Sequence, residues 1–204
     1  MSIIGITGKS GTGKSLLSKK LKSEDTFIID IDKISRAFFI EHHDTIEQTI
    51  YYLQNRHNTL IENSQAFWDL LMATRKEEDS LSDPLWQGIE SKTTELIKSS
   101  TSSNIVLDYA LLPKTNLFSL CDYTVLLLPY NDSLRKQAVI RRDNLQDTKR
   151  LDRRDKFSID YQRYKFNKIF INTYDEPSIS SLAKSILEEL ELSTLEKDDS
   201  SQEK

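Results

Sequence analysis

The chain has 204 residues, a net charge of -4 and 29% charged residues, with a mean hydropathy of -0.52. That length suffices for one sizeable core, and no apolar run longer than Val125-Leu126-Leu127-Leu128 offers a membrane span. Cys121 is the only cysteine, which excludes an intrachain disulfide; it is read as a packing residue, and the acidic balance gives no reason to expect nucleic acid as a partner.

Ser2 to Thr7 reads as a buried strand, and four of the five glycines fall within the first thirteen residues. Three belong to Gly8-Lys9-Ser10-Gly11-Thr12-Gly13-Lys14-Ser15, which has the form G-x-x-x-x-G-K-[ST]. A helical pattern follows at once, so the motif lies between strand and helix, where a phosphate-binding P-loop belongs. Glycine lets successive N–H groups converge on an anion, and the helix adds its positive end. Gly8 to Leu16 is therefore the expected nucleotide-binding set. Lys14 is placed on the β/γ-phosphates and the Ser15 hydroxyl on Mg²⁺. A strand starting this early leaves no room for a leader peptide, and a reducing cytoplasm is expected.

Thr26 to Ile29 predicts a second strand finishing at Asp30-Ile31-Asp32. Apolar spacing then predicts helices over Ile34–Phe39, Thr45–Leu53, Asn63–Met72 and Pro84–Ile97, the last with Asp83 as N-cap and proline in its first turn. Asn104 to Asp108 and Asp122 to Leu128 read as strands, and Asn131 to Arg142 as a helix. Between Arg135 and Lys156 nine basic residues stand against four acidic ones, a block suited to polyanions. A further helix is expected from about Lys149 to Tyr164, a strand over Lys168–Asn172, a closing helix over Pro177–Leu192 and a disordered polar tail over 193–204.

Strands alternating with helices imply an α/β fold with a parallel sheet covered on both faces, whose ligands sit at the strands' carboxyl ends. Those ends carry the P-loop, Asp30, Asp32, Asp108 and the Leu111–Lys114 loop. A GTPase is excluded: Asn167-Lys168-Ile169-Phe170 lacks the aspartate of N-K-x-D, and Leu85 stands where a D-x-x-G switch aspartate would precede Gly88.

Further landmarks occur in one order: Ile4-Gly5-Ile6-Thr7-Gly8, then Ile29-Asp30-Ile31-Asp32-Lys33-Ile34-Ser35-Arg36, Leu107-Asp108-Tyr109-Ala110-Leu111-Leu112, Arg142-Asp143 and Ile171-Asn172. In these the chain resembles the dephospho-CoA kinase family over about residues 2–175, with 33–103 matching weakly. The resemblance implies a three-layer P-loop kinase fold in one domain over 1–192. Its core would be 1–32 and 104–192, its helical substrate-binding part 33–103 and its basic lid 142–156. It implies ATP-dependent phosphorylation of the 3'-hydroxyl of dephospho-CoA with Mg²⁺. Asp32 would orient and deprotonate that hydroxyl, with Lys14 and Arg142 stabilising the transferred charge. Asp30, Arg36, Leu111 and Leu112 would meet the acceptor, Asn172 the nucleotide, and Asp108 the metal through water. Ala110, Lys114, Asp83 and Asp155 depart from the family pattern, and a glycine-rich stretch is missing. These departures touch the acceptor more than ATP and leave two other readings open: a kinase of a nucleoside or other metabolite, and a non-catalytic nucleotide-binding protein.

Overall fold

The computed structural model describes residues 1–199. Five strands, β1 (Ser2–Thr7), β2 (Thr26–Asp30), β3 (Asn104–Asp108), β4 (Tyr123–Pro129) and β5 (Lys168–Asn172), form one sheet in the order β2-β3-β1-β4-β5. Every pairing is parallel, with Asp30 opposite Asp108 and Asp108 opposite Ile6. Helix α1 (Lys14–Lys20) returns from β1, and α2 (Ile31–Glu41), α3 (His43–His57), α4 (Ser64–Glu77) and α5 (Pro84–Ser99) lie between β2 and β3. Helices α6 (Asp132–Asp143) and α7 (Lys149–Lys156) separate β4 from β5, and α8 (Glu176–Asp199) closes the chain.

Strand side chains alternate between two cores, as the pleat requires. Ile3, Ile105, Leu107 and Leu126 meet helices α2–α5 through Ile31, Leu53, Leu71, Trp86 and Ile89. Ile4, Ile6, Val106, Val125 and Leu127 meet α1 and α8 through Leu17, Leu21, Ile179 and Ile186. Strands buried on both faces need the continuous Val/Ile/Leu runs seen here. The helices between β2 and β3 share the first core with the sheet itself, so they are packed onto it.

Two glycines outside the P-loop mark close approaches. A Cβ on Gly5 would lie 2.8 Å from Cys121 Sγ and 2.9 Å from Leu112 Cδ2, so β1 leaves space there for the lone thiol. Gly88, inside α5, makes room for the Phe38 ring of α2: a Cβ would come within 2.3 Å of its Cζ.

Several helix limits differ from the sequence expectation, α3 and α4 both running longer, and three differences have a local cause. Helix α2 begins at Ile31, because Asp30 accepts the Lys33 N–H at 3.0 Å and caps it directly after the strand. The helix expected over Lys149–Tyr164 ends at Lys156; Ile159 and Tyr161, two residues apart, both enter the core, which an extended segment allows and a single helix face does not. Helix α8 continues past Leu192 to Asp199 through residues such as Leu195, Glu196 and Lys197 that favour helix. Residues 200–204 of the expected tail lie outside the described residues. No helix among the described residues is long and apolar enough to cross a membrane.

Candidate active site

The loop after β1 has the backbone its glycines permit: φ is 142° at Gly8, 86° at Gly11 and 100° at Gly13. Side chains would also collide there. A Cβ on Gly8 would lie 2.4 Å from the Leu127 carbonyl oxygen, and one on Gly13 2.7 Å from Asn172 Nδ2. Four successive carbonyls of the loop are already engaged. Lys9 O accepts from Thr12 Oγ1 (2.9 Å), Ser10 O from Arg135 (2.9 Å), Gly11 O from Tyr174 Oη (3.1 Å) and Thr12 O from Asn172 Nδ2 (3.0 Å). In a trans peptide the N–H points opposite its preceding carbonyl. The Ser10 and Thr12 carbonyls, held by Arg135 and Asn172, thus turn the Gly11 and Gly13 amides the other way, where an anion could meet them, while the Thr12 amide stays bonded to Lys9 O at 3.3 Å.

Asn172, expected to meet the nucleotide, is buried behind the loop instead, spending its amide nitrogen on Thr12 and its oxygen on the Tyr174 N–H. Tyr174 is held in the left-handed region (φ 68°), a costly conformation for this residue that its two hydrogen bonds sustain. Nothing in the local sequence signals this role.

Lys14 is buried in the cup, its Nζ 3.5 Å from the Lys9 carbonyl. Ser15 and Leu16 are exposed at the start of α1, where two N–H groups bond Gly13 O. Asp108, at the end of β3, is buried and accepts from Ser18 Oγ at 3.3 Å; the Ser15 hydroxyl also bonds it. Burial pushes the Asp108 carboxyl above the ordinary carboxylate range, with Lys14 opposing and Asp32 and Asp30 adding to the rise.

Asp32 stands in the first turn of α2, reachable by solvent but crowded by protein on its other sides. That crowding raises its pKa above 3.8; Lys14, Arg36 and Arg154 pull it back, and Asp30 reinforces the rise. The carboxylate and the P-loop lysine therefore lie within electrostatic reach of each other at the carboxyl ends of the strands, and Arg36, one turn along α2, is also within reach. Asp30 itself caps α2 and lies 3.6 Å from Lys33 Nζ. Arg142 ends α6, bonded through both arms of its guanidinium to Asp143 (2.7 and 3.0 Å), and also feels the charge of Asp32. Arg154, in the basic segment but given no role from sequence, is a second arginine of that segment within electrostatic reach of Asp32.

Leu111 and Leu112, expected against the acceptor, are both buried in the core, Leu112 beneath Gly5. Their apolar chains close the sheet rather than line an open surface. Tyr109 and Tyr161 hold this corner: Tyr109 stacks on Trp86 at 5.3 Å, and Tyr161 Oη donates to Ala110 O at 2.8 Å.

The departures Asp83 and Lys114 prove to be parts of one buried joint. Asp83 accepts two hydrogen bonds from Arg75, both 2.8 Å, and one from Trp86 N. Lys114 Nζ donates to the carbonyls of Arg75, Lys76 and Glu78 at 2.6–2.7 Å, covering the C-terminal end of α4. A cleft of about 440 Å³ beside it runs from Lys9 along Lys76, Lys114, Asp155 and Arg163.

The dephospho-CoA kinase (CoaE) family model matches residues 2–176. The chain belongs to this family. A dephospho-CoA kinase of Borreliella burgdorferi is 30% identical over 140 residues, which span 66% of this chain and 66% of that protein. Among solved structures, the TT1252 protein of Thermus thermophilus superposes with a TM-score of 0.65 at 19% identity, covering 93% of this chain and 97% of its own. A gluconokinase of Sinorhizobium meliloti gives 0.50 at 12% identity, covering 96% and 97%. At such identities the two likenesses speak for the fold alone, the three-layer parallel α/β arrangement of P-loop kinases.

Proposed function

We propose that this dephospho-CoA kinase family member transfers the γ-phosphoryl group of ATP to the ribose 3'-hydroxyl of dephospho-CoA, giving coenzyme A and ADP, in the cytoplasm. The observation that carries the reading is the nearness of Lys14 and Asp32 at the carboxyl ends of the strands: a glycine-rich P-loop with its buried lysine, and a carboxylate of raised pKa within that lysine's electrostatic reach. In the transfer the acceptor oxygen forms a bond to the γ-phosphorus while the bond to the β–γ bridging oxygen breaks. ADP leaves with that electron pair, and the acceptor's proton passes to an Asp32 carboxylate oxygen. Lys14 neutralises charge on the β/γ-phosphates, and Arg142 spreads the charge that develops at the lid. Arg36 and Asp30 flank the acceptor, with residues 33–103 as its binding part and 142–156 as the lid of a single domain.

Mg²⁺ fits the donors present. The Ser15 hydroxyl and the Asp108 carboxylate are hard oxygen ligands that already bond each other. No cluster of three or more His, Cys, Asp or Glu residues suited to a metal occurs among the described residues. Such a sparse set matches an ion that keeps waters and binds chiefly through substrate phosphates. When bound, the ion supplies charge neutralisation between the β- and γ-phosphates.

Purified protein with ATP, Mg²⁺ and a panel of acceptors tests the reading. Turnover of dephospho-CoA that vanishes in Lys14→Ala is expected. Turnover of a nucleoside with none of dephospho-CoA overturns the acceptor, and absence of any transfer overturns the enzyme.

A further inference from the structure

The most buried cation among the described residues belongs to none of the roles above. Arg135, on α6, has no exposed surface. Its guanidinium reaches three separate segments: Nε donates to Asp132 Oδ1 at 2.7 Å, one terminal nitrogen to the P-loop carbonyl of Ser10 at 2.9 Å, and the other to Asp155 of α7. Its stem completes the contact: a Cβ on Gly11 would fall 3.1 Å from Arg135 Cγ and 3.0 Å from its carbonyl oxygen. The apex of the P-loop therefore rests directly on this residue.

The lid helix is fastened to α6 by the same stretch of chain. Lys136, the next residue, pairs with Asp152 at 2.7 Å, and Thr148 Oγ1 donates to Asp152 at 2.7 Å. Leu151 is buried beneath them. Asp155 lies one turn beyond Asp152, so the position of α7 and the orientation of the Ser10–Gly11 peptide are joined through one planar group with five fixed donors. A fully buried guanidinium needs its carboxylate partners. If α7 lifts, Arg135 loses one of them, and its hold on Ser10 changes with it.

We infer that Arg135 is a positioning residue for nucleotide binding: it sets the Gly11 N–H by holding the Ser10 carbonyl, and through Asp155 it makes that setting depend on the docked lid helix. The inference rests on the kinase reading but concerns the donor nucleotide, not the acceptor. The lid and the P-loop then act as one unit, so that nucleotide affinity and lid position change together.

The test uses the full chain and four proteins: wild type, Arg135→Ala, Arg135→Lys and Asp155→Asn. Each is measured for ATP binding by calorimetry in the presence of Mg²⁺, for the KM of ATP and of dephospho-CoA, and for kcat. Losing a hydrogen bond to a charged group at the loop should weaken ATP binding and raise its KM about tenfold or more in Arg135→Ala. The KM of dephospho-CoA should stay within about twofold, since the contact lies on the donor side. Arg135→Lys should recover part of the loss, and Asp155→Asn should weaken ATP binding in the same direction. Unchanged ATP affinity in both Arg135→Lys and Asp155→Asn overturns the inference, whether or not Arg135→Ala folds. A loss of kcat that tracks only the folded fraction, with the KM of ATP unmoved, overturns it equally. Should wild type bind ATP yet leave dephospho-CoA unphosphorylated, the acceptor assignment falls while the calorimetric arm still decides the role of Arg135.

Discussion

At Asp32, crowding by protein and the ammonium of Lys14 pull in opposite directions, and crowding is the stronger. The carboxyl must be ionised to take the acceptor's proton, so transfer should switch on as pH rises through a value above 3.8. The pH dependence of kcat/KM checks this, and the acid limb should vanish from the residual activity of Asp32→Asn. That variant should lose about 100-fold or more in kcat while ATP affinity stays close to wild type. The sign for stability is the reverse of the usual carboxylate. The raised pKa means the folded state holds the proton more tightly, so this site favours folding most at low pH and that benefit fades as pH rises through the raised value. Asp32→Asn should therefore unfold at higher denaturant than wild type at neutral pH. Single residues were legible in the sequence where a motif fixed them: Gly8 to Ser15 announced themselves by spacing. Asn172 did not, because a polar residue at a strand end reads the same whether it faces the nucleotide or supports the loop from behind. Arg135 was hidden among nine basic residues, since a buried fork and a solvated one have the same letter.

Among the elements, the joint of α4, α5 and the turn after β3 has the most to lose from one substitution. Asp83→Ala removes an N-cap and leaves the Arg75 guanidinium buried without its carboxylate, a loss of about 3–5 kcal/mol by denaturant unfolding. Asp83→Asn keeps the capping oxygen and should cost less, the difference reporting the charge alone. Lys114→Met should also destabilise, because three carbonyls at the end of α4 lose one shared donor. The strands were readable almost to the residue: β3 is a short apolar run buried on both faces, and β5, an edge strand with Ile169 and Ile171 exposed, still carries such a run, so both fall where the pattern places them. The helices between β2 and β3 were readable as helices but not in their limits or packing. Gly88, a poor helix former in the middle of α5, is explained only by the Phe38 ring that fills the space of its missing side chain. The segment after α7 was misread because no glycine or proline marks the end of the helix, while Ile159 and Tyr161 decide its path.

Across the whole molecule, the hydrogen bonds seen among the described residues between the helical part and the proposed lid, or the chain just after it, lie at the surface. Lys76 Nζ donates to Lys156 O at 2.6 Å, Arg153 to Gln65, and Arg163 to Asp79 at 3.0 Å. Exposed contacts of this kind contribute about 0–1 kcal/mol each, against the buried Arg135 that holds Asp155 from the α6 side. The lid should therefore part from α4 more readily than from α6. Hydrogen exchange should show residues 144–156 more protected with ATP than without it, with added salt speeding exchange in the nucleotide-free protein and affecting the P-loop segment much less. Equal protection in both states would mean the lid does not respond to nucleotide.

The notch that Gly5 leaves for Cys121 also confers a built-in probe. Burial, helped by the negative charge of Asp122, pushes the thiol's pKa up to about 12, so almost none of the reactive thiolate exists near neutrality. A mild alkylating agent should mark this half-buried thiol far more slowly in the native protein than in the unfolded chain. With no second sulfhydryl in the chain to compete, the rate of labelling becomes a direct clock for unfolding. ATP should slow that clock in proportion to how firmly it is bound.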